Sequence, residues 1–342
     1  MSDYNWFEGI PFPAINFKKE LFGEIRNKFV MRDEDIVILT YPKSGTNWLV
    51  EIVCLIQAKG DPKWIQSVFT WDRSPWIETP NGYSLLINKE GPRLMRSHLP
   101  FHLFPRSLFC SKAKVIYLIR NPRDVLVSGY FFWSQSNIAK KAESLRTYFE
   151  WFLKGNVPYG SWFEHTRAWL SMREWDNFLL LSYEDMKKDG RGTIKKICDF
   201  LGNKLELDEL DLVVKYSTFQ SMKENNMSNY SLLTRDEIPN GLVLLRTGTT
   251  GDWKNHFTVA QAETFDKEFQ EKMAGFPPGL KDEGLELVEE KMAEEVHWEK
   301  ILRKRRVIYL IRNPRDVLVS GYFCWGKTNL IRKPESLGNY FE

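Results

Sequence analysis

The chain twice places a short apolar run directly before a basic turn. Ile36-Val37-Ile38-Leu39 leads into Tyr41-Pro42-Lys43-Ser44-Gly45-Thr46-Asn47-Trp48. Val115-Ile116-Tyr117-Leu118-Ile119 leads into Arg120-Asn121-Pro122-Arg123-Asp124-Val125-Leu126-Val127-Ser128. Runs without polar alternation suit strands covered on both faces, as in parallel sheets. After the first turn, Trp48, Leu49, Ile52, Val53 and Ile56 fall at helical spacing, which predicts a helix over 47–56. A strand, a basic turn and a helix start present backbone N–H groups and cations to phosphate. A third apolar run lies at 178–181, and amphipathic patterns cover 140–153 and 183–201. The alternation predicts an α/β fold with a mainly parallel central sheet flanked by helices. The stretches 60–91 and 217–255, rich in Trp, Gly, Pro and Asn, are expected to be irregular and to supply ligand-covering loops.

The 342 residues are 43% hydrophobic, enough for the core of one large domain. Lys and Arg number 48 against 45 Asp and Glu, a net charge of +3. That is too weak to argue for nucleic acid, so any cationic function must be local. The 13 Trp, 13 Tyr and 23 Phe either fill a core or line a pocket for a flat apolar ligand. Cys54, Cys110, Cys198 and Cys324 form no CxxC pair, and buried thiols are expected in preference to disulfides or metal ligation. Asp3 and Glu8 interrupt the N-terminus, where no apolar signal core occurs. No apolar run approaches the roughly 18 residues of a membrane span. A soluble, cytosolic protein with no membrane partner is expected.

Residues 115–150 recur at 307–342 without a gap, and the first 17 residues of the copies are identical. The second copy has no equivalent of the 41–48 loop. The expected organisation is a domain over 1–279, a charged helical linker over 280–306, and a non-functional tail over 307–342 that partly duplicates 115–150.

The first turn is not a Walker A loop, because Lys43 precedes Gly45 instead of following a glycine. Gly45 permits close backbone approach, Ser44, Thr46 and Asn47 offer donors at a helix start, and Lys43 can reach a leaving oxygen. An ordinary strand-to-helix turn is the plainer alternative. In the second turn Arg120 can grip a phosphate with two N–H groups and Ser128 can add a hydrogen bond. Arg123 suits either a phosphate contact or a structural ion pair. Arg246-Thr247-Gly248, followed by Gly251-Asp252-Trp253-Lys254, has the makings of a second clamp on the same phosphate. His98 stands in Arg96-Ser97-His98-Leu99-Pro100, and a lone histidine is more often structural than a base. Its unperturbed pKa nevertheless suits proton transfer near neutral pH.

With Trp71-Asp72-Arg73-Ser74-Pro75-Trp76, Ser221-Met222-Lys223-Glu224-Asn225 and Met227-Ser228-Asn229-Tyr230-Ser231, these motifs resemble the cytosolic sulfotransferase family over about 6–277. Within it the chain looks most like the hydroxysteroid, or bile-salt, group. The resemblance implies a P-loop-like sulfotransferase fold. It also implies sulfuryl transfer from 3′-phosphoadenosine 5′-phosphosulfate (PAPS) to the hydroxyl of a hydroxysteroid or bile acid, without a metal. By that likeness Lys43, Ser44, Gly45, Thr46, Asn47 and Trp48 hold the 5′ phosphosulfate. Arg120, Ser128, Arg246, Thr247 and Gly248 hold the 3′ phosphate. Trp48, Tyr183 and Phe219 border the adenine, with Thr218 and Met222 nearby. His98 is implied as the base of an in-line displacement, with Lys43 and Ser128 completing the catalytic set. Phe17, Trp71, Trp76, Phe132, Trp133 and Tyr230 are implied to wall the acceptor. Residues 254–263, from Lys254 to Glu263, match the family's homodimer motif.

Thr247 departs from the family's usual Arg-Lys-Gly, which implies weaker donor binding. A PAPS-binding protein impaired by Thr247 and the tail is therefore one alternative. A sulfotransferase for phenols or other alcohols is another. A P-loop phosphotransferase would need the Walker lysine and a strand-end Asp, where this chain has Arg120.

Overall fold

A computed structural model describes residues 4–13, 18–136, 138–232 and 245–274. A hairpin of β1 (Asn5–Phe7) and β2 (Ile10–Phe12) precedes a four-stranded sheet of β3 (Ile36–Thr40), β4 (Leu94–Ser97), β5 (Lys114–Ile119) and β6 (Phe178–Ser182). The sheet order is β4-β3-β5-β6, and every pairing is parallel. Successive side chains point to opposite faces. Val37, Leu39, Val115 and Tyr117 join one core, while Ile38, Ile116 and Leu118 join the other. Two buried faces explain why β3 and β5 read as unbroken apolar runs.

Strand β4 had no such signal. Half of Leu94-Met95-Arg96-Ser97 is polar, yet all four residues are buried. From β3 the chain crosses to β4 on one side, and from β5 it crosses to β6 on the other. The crevice between the carboxyl ends of β3 and β5 is therefore a topological switch point, where open α/β sheets bind ligands. Both basic turns sit there.

Several expected elements are corrected in detail. The helix expected over 47–56 is Thr46–Gln57. The helical pattern over 183–201 is two helices, Tyr183–Lys188 and Gly190–Leu201, because the Asp189 side chain accepts from the Gly192 N–H and starts a new helix. The helix expected over 140–153 is Leu145–Lys154, started by Ser144 and ended by left-handed Gly155. The stretch 60–91 is not irregular; it holds helices Lys63–Ser67, Thr70–Arg73 and Pro80–Asn88. The second loop region likewise holds a helix, Phe219–Glu224, and a 3₁₀ turn, Asp252–Asn255.

Cys54 and Cys198 are free and buried, as expected. Cys110 corrects the expectation, being solvent-exposed and disulfide-bonded. Phe17, Cys324, the 280–306 linker and the 307–342 repeat lie outside the described residues. Among the described residues no helix is long and apolar enough to cross a membrane.

Candidate active site

The turn after β3 is built on two left-handed residues, Lys43 (φ 69°) and Gly45 (φ 104°). At Gly45 only glycine fits: an added Cβ would stand 2.7 Å from Tyr183 Cδ2. Thr46 opens the helix and its hydroxyl hydrogen-bonds Thr40 Oγ1 at 2.7 Å. Ser44 is fully buried beneath the turn, and its hydroxyl has no protein partner.

Arg120, at the end of β5, donates to the Lys43 carbonyl at 2.8 Å and to the Thr249 carbonyl at 3.0 Å. Its guanidinium lies 4.3 Å over the Tyr183 ring. Asp124 accepts from the backbone N–H groups of Gly251 (2.7 Å) and Trp253 (3.0 Å), so the second basic turn anchors the segment that carries Arg246. Arg246 pairs with Asp252 and lies 4.8 Å over Phe131. Arg123 resolves as structural, pairing with Asp266 and packing on Trp253 and Phe265.

These cations converge. Burial, then repulsion by Arg120 and Arg246, pushes the Lys43 ammonium down to about 7. Its Nζ sits 3.7 Å over the Phe132 ring. The Nε groups of Arg120 and Arg246 are buried without a protein partner. Orphaned donors at Ser44, Arg120 and Arg246, beside a helix start and mutually repelling cations, fit a polyanion.

At the far end, Trp48 Nε1 donates to the Ser217 carbonyl at 2.8 Å, and its ring meets Tyr183 edge-on at 5.3 Å. Gly248 (φ 65°) lies against Phe219, where a Cβ would fall 2.3 Å from the ring. These rings, with buried Met222, make a slot suited to a flat base.

His98 follows β4. Its Nδ1 lies 2.8 Å from the Thr40 carbonyl and 3.1 Å from the Thr40 hydroxyl. A carbonyl only accepts, so Nδ1 carries the proton and Nε2 keeps its lone pair. Burial, outweighing the Thr40 hydrogen bond, pushes the imidazole down to about 3, so it is neutral at physiological pH. Trp76 packs 4.5 Å from the His98 ring.

One cavity of about 340 Å³ unites both sets. Lys43, Gly45, Thr46, Asn47, Trp48, Arg120, Ser128, Tyr183, Phe219, Met222, Arg246, Thr247 and Gly248 line it. His98, Trp76, Phe132, Trp133 and Tyr230 line the same cavity. Three expected residues stand off it; the first, Ser44, is buried beneath the turn. Thr218 caps the Phe219–Glu224 helix by accepting from the Ser221 N–H at 3.1 Å. Trp71 is sandwiched between Phe69 (4.4 Å) and Tyr230 (5.3 Å), so it backs the wall. The sequence reading missed Phe12, Glu78, Tyr159 and Lys187, which also line the cavity. Of these only Tyr159, held left-handed beside Gly160, carried a turn signal.

A parallel α/β sheet with two basic turns at its switch point, sharing a cavity with a neutral histidine, is the arrangement of an α/β protein that binds a phosphorylated ligand. The chain belongs to the sulfotransferase family: the sulfotransferase domain matches residues 33–277 and 293–342. It is 75% identical over 280 residues to Sulfotransferase 2A2 of Mus musculus, covering 82% of this chain and 98% of that protein. It is 64% identical over 281 residues to the 3-beta-hydroxysteroid sulfotransferase of Cavia porcellus, again covering 82% and 98%. Mouse sulfotransferase SULT7A1, solved in complex with PAP, superposes with a TM-score of 0.67 at 31% identity, covering 79% of this chain and 95% of that one. The protein is a PAPS-dependent sulfotransferase.

Thr247 lines the cavity and is exposed. Thr247→Lys is expected to tighten PAP binding about two- to five-fold, the scale of a partly screened ion pair. Calorimetric titration with PAP checks this, and equal affinities would show that Thr247 costs the site nothing.

Proposed function

We propose that this chain moves the sulfuryl group of PAPS onto the hydroxyl of a hydroxysteroid or bile acid, with His98 as the base. The carrying observation is the Thr40 clamp on His98 Nδ1, which leaves a lone pair at Nε2 in the cavity that Lys43 also lines. PAPS, when bound, supplies the sulfuryl group and a phosphate leaving group. Ser44, Thr46, Asn47 and the helix start would hold its 5′ end, and Arg120, Ser128, Arg246 and Gly248 its 3′ phosphate. His98 accepts the acceptor proton at Nε2. Lys43 stabilises negative charge on the departing oxygen, so most of the rate comes from positioning and electrostatics. Trp76, Phe132, Trp133 and Tyr230 present aromatic faces that suit a rigid fused-ring acceptor. The likeness to the 3-beta-hydroxysteroid sulfotransferase of Cavia porcellus supports the steroid class. A cytosolic homodimer through 254–263 completes the reading. Thr258 caps the helix there, and Val259 is 76% exposed beside it.

Transfer from radiolabelled PAPS to a hydroxysteroid, a bile acid and a simple phenol tests the reading. Label on the steroid or bile acid is expected. Label on the phenol alone would overturn the acceptor class. No label on any acceptor, with PAPS bound, would replace catalysis with binding.

A further inference from the structure

The peptide around His98 leaves the sheet and is held by side chains. The His98 N–H donates to Glu78 Oε1 at 2.8 Å. The His98 carbonyl lies 3.1 Å from His165 Nε2. The Leu99 N–H donates to Ser97 Oγ at 3.0 Å, and the Leu99 carbonyl accepts from Trp169 Nε1 at 3.1 Å. Of these partners only Glu78 is an acid, and only Glu78 also lines the cavity.

Its placement is fixed by backbone. Arg96 N–H donates to the Pro75 carbonyl at 3.1 Å, and Ile77 N–H to the Arg96 carbonyl at 3.2 Å. Trp76 thus pairs in parallel with Arg96, on the side of β4 opposite β3. That pairing carries Glu78 to the turn that holds His98. Glu78 is buried, 5% exposed, and its carboxyl is in direct contact with the His98 peptide.

We infer that Glu78 is the positioning and electrostatic partner of His98: its carboxylate fixes the His98 peptide and favours the imidazolium formed when Nε2 takes the acceptor proton. The inference rests on the reading of His98 as the base. The step is a balanced proton transfer: the acceptor O–H bond breaks, an N–H bond forms at Nε2, and the ring gains one positive charge. A carboxylate held against that residue in a poorly solvated site favours the charge as it appears.

Burial lifts the Glu78 carboxyl to about 7, against the pull of the His98 and Glu78 N–H groups, the Ser97 hydroxyl and Arg96. Tyr159 is the other titratable group that faces it, from the turn before Gly160. Glu78 is therefore charged above about pH 7 and neutral below it. Free His98 titrates near 3, so an acid limb near neutrality belongs to Glu78 and not to the base itself.

Glu78→Gln keeps an acceptor for the His98 N–H but removes the charge. In single turnovers of full-length enzyme with PAPS and the best-labelled acceptor, we expect transfer to slow by about tenfold, the equivalent of one pKa unit at the base. The acid limb near pH 7 should vanish, while PAP affinity and thermal midpoint stay unchanged. Glu78→Asp should restore the limb. Carboxyl ¹³C NMR of the free protein should show a group titrating near pH 7 that the Gln variant lacks. An unchanged rate and pH profile in Glu78→Gln would overturn the inference, as would a fall in PAP affinity and thermal midpoint together. His98→Ala separates the two readings. Turnover surviving that change sinks the base assignment itself. An inactive His98→Ala beside a wild-type-like Glu78→Gln sinks only the role of Glu78.

Discussion

His98→Ala is expected to lower turnover by about 10²- to 10⁴-fold, the usual worth of a general base, while PAP binds with wild-type affinity. In free-energy terms the loss is about 3–5 kcal/mol of transition-state stabilisation. The imidazole contacts Thr40 through Nδ1 and packs on Trp76 and Tyr159, and none of these bonds holds the donor loop directly. His98→Gln sharpens the test, because its amide can still donate to the Thr40 carbonyl but offers no base. Both variants should melt near wild type and retain PAP. If PAP affinity falls along with turnover, His98 is a structural link between β3 and β4 and the base assignment fails. If turnover survives in both, the acceptor loses its proton elsewhere.

The sheet was legible where burial on both faces erased polar alternation. β3, β5 and β6 were visible as apolar runs, and the turns that follow β3 and β5 were visible as anion-binding signatures. β4 was hidden because its Arg96 and Ser97 are buried for tertiary reasons: Arg96 hydrogen-bonds Asn47 and lies 4.5 Å over Trp76. The state of His98 was illegible for a related reason. Its proton is placed by Thr40, 58 residues away, through the pairing of β3 with β4. Glu78 reads as an ordinary surface acid until the Trp76–Arg96 pairing tucks it under the histidine. Trp71 shows the opposite error. Its motif is that of a wall residue, but stacking on Phe69 and Tyr230 sets it one layer back. Arg123 was undecided because a guanidinium suits an anion or an acid equally, and only the helix Val259–Lys272 supplies Asp266.

Lys43→Ala is expected to slow transfer by about 10²- to 10³-fold, the typical cost of losing one charge-stabilising donor at a reacting oxygen. Its second effect is more diagnostic. In the free protein Lys43 is pushed down to about 7 by burial and by Arg120 and Arg246. A bound polyanion supplies opposite charge and raises that value, so the ammonium is favoured in the complex. Below about pH 6 the lysine is already protonated and PAP affinity should be flat. Above pH 7 the free site is deprotonated and binding must take up a proton. Affinity then falls as pH rises, by at most about tenfold per unit. Lys43→Ala removes the titrating group and should flatten this limb between pH 7 and 9. Lys43→Arg should flatten it too, through a charge that does not titrate, while keeping affinity near the wild-type low-pH value. Calorimetry of PAP binding in buffers of different ionisation enthalpy measures the proton uptake directly. A wild-type protein that takes up no proton at pH 8, or a Lys43→Ala variant with an unchanged limb, would mean that Lys43 is not the cation facing the phosphate. The kinetic loss would then have to be traced to its contact with Phe132 or to the strained turn it occupies.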